Sequence, residues 1–160
     1  MCAKEAEVFS LHDILEIFQN TALWCAVAAW FTAQALKIPT YWLVEKKLNL
    51  MRFFGSGGMP SSHTAFVISL TIMIGATQGF DTALFALSVI LSAIVMYDAS
   101  GVRRETGVQG QVLNEIIRKV FVDGQPITDV ELKELVGHTK VEVAGGFIVG
   151  VLTALAFIFL

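Results

Sequence analysis

Apolar residues crowd into four stretches of the chain, Thr21 to Leu36, Thr64 to Phe80, Thr82 to Tyr97 and Val141 to Leu160, with polar segments between them. Each stretch is close to the ~20 residues that carry a helix across ~30 Å of hydrocarbon, and the last reaches that length unaided. The first three hold small or polar residues, Thr32 and Gln34, Ser69 and Thr71, Ser88 and Ser92, which in a bundle face neighbouring helices instead of lipid. The pattern predicts an all-α fold: an integral membrane four-helix bundle with an amphipathic helical insertion between the third and fourth membrane helices. Residues 1–160 are read as a single membrane domain, with membrane helices at 21–36, 64–80, 82–97 and 141–160 and a polar insertion at 98–140.

Only Gln-Gly-Phe-Asp separates the second and third stretches, which predicts a tight antiparallel hairpin. In the insertion, VLNEIIRKVF places Leu113, Ile116, Ile117 and Val120 at helical spacing. A second helix is expected after the DGQP turn, opened by a capping box at Thr128 to Glu131. Gly146 and Gly150 form a Gly-x-x-x-Gly spacing suited to close helix packing, either within the bundle or in a homo-oligomer.

Composition agrees with a membrane chain: 55% of its 160 residues are hydrophobic and the mean hydropathy is +0.68. The net charge of -3 gives no reason to expect nucleic acid. Cys2 and Cys25 define no disulfide framework and are expected to be free thiols. The acidic, amphipathic first twenty residues do not read as a cleavable signal peptide and are expected to stay on the protein.

If each stretch crosses once, the end of the first, the start of the second, the end of the third and the start of the fourth share one face. Of the 11 basic residues only Lys4 lies elsewhere, so the positive-inside rule makes that face cytoplasmic.

The same face gathers His63 and His138, whereas His12 lies on the other. In GGMPSSHTAF, Gly55, Gly57 and Gly58 allow a ligand close to the backbone, Pro60 fits an early helix position, and Ser61 and Ser62 offer a cap and hydroxyls. A helix start of this kind favours an anion such as phosphate. In HTKVE, a carboxylate four residues after His138 can fix its tautomer and leave the other ring nitrogen nucleophilic. Metal binding is the rival use of these residues, with an incomplete ligand set.

Pro60-Ser61-Ser62-His63 resembles the second signature of the type 2 phosphatidic acid phosphatase superfamily, usually Pro-Ser-Gly-His, and His138 to Glu142 resembles the third, usually His-x-x-x-Asp. With FFGSGGMPSSHTA, YDASGVRRETGVQGQVLNE and ELVGHTKVEVAGG, nearly the whole chain is similar to the divergent branch of that superfamily, related to acid phosphatases and vanadium-dependent haloperoxidases. The resemblance implies a membrane-bound phosphatase that hydrolyses a lipid-linked phosphate or an isoprenoid diphosphate through a phosphohistidine, with no obligatory metal. His138 would attack phosphorus, Glu142 orient it and His63 protonate the leaving oxygen. Gly57, Gly58, Ser61 and Ser62 would hold phosphate oxygens.

Two expected cations are missing: Lys46 and Arg52 stand one residue too close for the first signature, with Phe53 in place of proline, and Leu132 replaces an arginine before His138. Arg103 and Arg104 are the expected substitutes, with Lys37 and Arg52 as further candidates. Asp98 either pairs with the arginines or helps bind a Mg2+ carried by a diphosphate. The alternative is a non-catalytic membrane protein that binds or carries a phosphorylated lipid, and a purely structural membrane protein ranks third.

Overall fold

The computed structural model describes residues 15–55, 57–101, 107, 109–114, 117 and 138–160. Four long helices dominate: α1 (Thr21–Glu45), α2 (Ser62–Gln78), α3 (Ala83–Ser100) and α4 (Lys140–Phe159). Short 3-10 helices occupy Ile17–Gln19 and Leu50–Phe54, and no strand occurs among the described residues. Residues 109–114 are helical, in keeping with the predicted insertion helix; the expected Thr128 to Glu131 capping box lies outside the described residues.

Each long helix opens on a side chain that accepts a backbone N–H left over in the first turn. Asn20 caps α1 at Leu23, Ser61 caps α2 at Thr64, Thr82 caps α3 at Phe85 and Thr139 caps α4 at Glu142. These caps put the starts within two residues of the predicted ones. Pro60 lies outside α2, ahead of the cap, and not in the first turn as expected.

The longest extension beyond an apolar stretch is in α1, which continues past Leu36 to Glu45. Pro39 sits inside it. A proline costs a helix one backbone donor and crowds the carbonyl four residues back, yet the apolar run on both sides keeps the helix whole. Lys37 is therefore two turns inside a membrane helix, not at its end.

Three of these helices, α1, α3 and α4, are long and apolar enough to cross a membrane. At 17 residues α2 spans about 25 Å, short of the hydrocarbon core. It is the central element, packed against the other three, with nine of its residues buried.

The packing is small inside and large outside. Ala26, Ala29, Ala33, Ala65 and Ala154 fill the contacts, while Phe31, Leu87, Ile94, Ile148 and Leu152 point outward. Lipid is as apolar as leucine, so membrane helices associate through close backbone approach and hydrogen bonds. Thr71 supplies the latter: its Oγ1 lies 2.8 Å from Ser92 Oγ and donates to the Val67 carbonyl at 2.8 Å.

Gly146 and Gly150 use their spacing within the chain, against α2. A Cβ on Gly146 would lie 2.2 Å from the Ser61 carbonyl oxygen, and one on Gly150 2.8 Å from that of Ala65. Of the two uses the spacing allowed, the contact of these glycines with Ser61 and Ala65 is the one within the bundle. Gly146→Ala should lower the unfolding midpoint in detergent, by about 1–3 kcal/mol of stability, because the contact is backbone and cannot swing aside. Gly145→Ala, which meets mainly the flexible end of Met59, should change it little.

Candidate functional site

The antiparallel arrangement brings Lys37 of α1, the start of α2, the end of α3 and the start of α4 together. Two backbone bonds fasten them: His138 N–H donates to the Ala99 carbonyl at 2.8 Å, and Ser61 N–H donates to the Glu142 carbonyl at 2.9 Å. His138 immediately precedes the Thr139 cap and is 2% exposed.

Glu142 has two tasks. As the third residue of α4 it completes a capping box, accepting the Thr139 N–H at 2.8 Å while Thr139 Oγ1 accepts the Glu142 N–H at 3.3 Å. The same oxygen, Oε2, stands 3.2 Å from His138 Nδ1. An ionised carboxylate only accepts, so Nδ1–H is the donor to it, and in a neutral ring that tautomer leaves the lone pair on Nε2. The pattern Thr-Lys-Val-Glu was readable as a capping box in the sequence. Thr139 and Glu142 have the same Thr-x-x-Glu spacing as Thr128 and Glu131.

Across from His138 stands His63, on the first turn of α2, with 6.2 Å between ring centroids and 58° between ring planes. The spacing is well inside the ~10 Å beyond which one phosphorus could not be shared, given the short reach of proton transfer. Ser61 and Ser62 diverge in role. Ser61 Oγ is taken up by the cap and by the Thr64 hydroxyl at 3.1 Å. Ser62 Oγ faces Lys37 Nζ at 3.5 Å.

Lys37 is the cation that the structure brings in. It is 2% exposed, donates to the Gly55 carbonyl at 2.9 Å, and is close enough to Glu142 for their opposite charges to attract. An ammonium carries three donors, and two protein oxygens are within reach. Arg52 is turned elsewhere, its guanidinium 4.3 Å from the centre of the Tyr41 ring. Gly57 and Gly58 are half-buried ahead of α2, and Gly58 has φ +94°, a conformation that explains glycine there. The Thr40 hydroxyl holds the neighbouring Met59 carbonyl at 2.5 Å. Asp98 lies half-buried beside Ala99 in the last turn of α3. Arg103, Arg104 and Leu132 lie outside the described residues.

A cleft of about 610 Å³ opens at the other end of the helices, lined by residues such as Glu16, Asn20, Thr77 and Gln78. Its lining offers no histidine and no cation. Chemistry, not volume, marks the site.

Residues 18–153 match the family described as "Divergent PAP2 family". The chain is also similar to "Uncharacterized membrane protein YuiD" of Bacillus subtilis (strain 168), 36% identical over 151 residues that cover 88% of this chain and 96% of the relative. No solved structure matches. The match takes in Lys37, both histidines and Glu142 together with the helices that carry them, and the chain belongs to the divergent PAP2 family.

Proposed function

We propose that this integral membrane protein is a phosphatase that hydrolyses a lipid-linked phosphate or diphosphate through a phosphohistidine. The observation that carries the reading is the pairing of a carboxylate-oriented His138 with a second histidine 6.2 Å away. His138 Nε2 attacks phosphorus, the bond to the leaving oxygen breaks, and His63 gives that oxygen its proton. Water then attacks the N–P bond, His63 takes the proton from the water, and phosphate leaves His138 free. A monophosphate yields inorganic phosphate and a lipid alcohol, and a diphosphate yields a lipid monophosphate in place of the alcohol.

Charge on the transferred group is met by Lys37, the backbone at Gly57 and Gly58, the Ser62 hydroxyl, and Arg103 and Arg104. Preorganised donors of this sort act most strongly where charge develops in the transition state. No metal is assigned a step, and a Mg2+ beside Asp98 would arrive with a diphosphate substrate. The four helices form one membrane bundle in this reading, with α2 crossing in the shelter of its neighbours. The histidines face the cytoplasm, on the side of the basic residues.

Purified protein in detergent should release phosphate from phosphatidic acid or from an isoprenoid diphosphate, and vanadate, a mimic of the five-coordinate phosphorus, should inhibit it. The non-catalytic reading draws on Leu132, which stands where the superfamily has an arginine. Tight binding of these lipids without turnover of any would favour that reading over the enzyme.

A further inference from the structure

The connection between α1 and α2 doubles back along the outside of α1. After Glu45 the chain reverses at Lys46, a non-glycine residue with φ 55°. It then descends, so that the Phe53 ring lies 6.5 Å from that of Trp30 and 6.3 Å from that of Phe31. Phe31 precedes Glu45 by fourteen residues, a drop of about 21 Å along the helix. It also lies about 9 Å below the level of Lys37. Two residues on, the Gly55 carbonyl accepts from Lys37.

A segment that reaches down beside a membrane-spanning helix through its Phe53 side chain meets lipid, and its features suit lipid. Leu48 is 70% exposed, Met51 74% and Phe54 79%. Three backbone N–H groups are satisfied locally: Arg52 N–H donates to the Asn49 carbonyl, Gly55 N–H to that of Arg52, and Met51 N–H to the Asn49 side chain. Unsatisfied groups are not tolerated in hydrocarbon. Arg52 bends upward to stack on Tyr41, at a helical level nearer the membrane surface, as long cationic side chains do when their stems are in lipid. Lys46 lies over Trp42 beside it, and with Lys47 these cations complement anionic headgroups.

We infer that residues 48–54 lie in the lipid leaflet as a re-entrant wall, and that a lipid anion reaches Lys37 from the bilayer across this wall. The entry route rests on the phosphatase reading, whereas the depth of the wall does not.

Two measurements separate them. With Cys2 and Cys25 replaced by alanine, single cysteines at Met51, Phe54, Lys47 and Ile148 would carry nitroxides in vesicles of phosphatidylcholine and phosphatidylglycerol. Power saturation should show the labels at 51 and 54 relaxed mainly by oxygen, like the lipid-facing control at 148, and the label at 47 mainly by a water-soluble nickel complex. Nickel dominance at 51 and 54 overturns the wall whatever the enzyme does. The double variant Met51→Asp/Phe54→Asp should then lose at least about tenfold in turnover of a long-chain lipid phosphate in vesicles, while a short-chain soluble phosphate is hydrolysed as before. Equal loss on both substrates overturns the entry route and leaves the histidine site standing.

Discussion

His138→Ala is expected to reduce phosphate release by at least about 10⁴-fold, because residues that act as one nucleophilic unit lose most of their effect when any one is removed. Glu142→Gln is the informative companion. A glutamine oxygen can still accept the Thr139 N–H, so the capping box at the start of α4 survives. The charge that holds the proton on Nδ1 does not. Turnover should therefore fall by about 10²–10⁴ with an unfolding midpoint near that of the wild type. Glu142→Ala adds the loss of the cap, of the order of 1 kcal/mol of stability. Steady-state rates and thermal unfolding, measured on the same detergent preparations, check both quantities. A His138→Ala protein that kept a tenth of the activity would remove this histidine from the chemistry.

Lys37→Met is the second change with a large expected effect, and its value lies in the sign of the stability change. A buried ammonium carries a desolvation penalty of several kcal/mol that its partners offset only in part. Methionine relieves that penalty and keeps most of the volume. Against this, the Gly55 carbonyl loses its donor, at a cost of about 1–3 kcal/mol. The two nearly cancel, so the unfolding midpoint should move little. Turnover should fall about 10²–10³-fold, the scale seen when one preorganised group is removed from a developing negative charge. A clear drop in midpoint with unchanged turnover would make Lys37 a strut between α1 and the Gly55 turn instead.

Much of the scaffold was legible because membrane helices announce themselves in length and hydropathy, and because Asn20, Ser61, Thr82 and Thr139 are good caps standing where the apolar runs begin. The convergence of His63 with His138 and Glu142 followed from counting crossings. The rest was hidden for physical reasons. The apolar stretch ends at Leu36, ahead of a charge at Lys37 and a proline at Pro39, yet α1 passes through both. Hydropathy alone therefore shows neither the burial of Lys37 nor the course of residues 48–54. Ser61 and Ser62 are indistinguishable in sequence. Only the geometry assigns one to the cap and turns the other toward Lys37.

The central claim is that a phosphoryl group is bonded for a time to His138. Protein mixed with a lipid phosphate labelled in its phosphorus and quenched in alkali within milliseconds should carry acid-labile, alkali-stable label on the peptide containing His138, and the His138→Ala protein should carry none. Phosphate release with label on His63, on a serine hydroxyl or on no residue at all would contradict it.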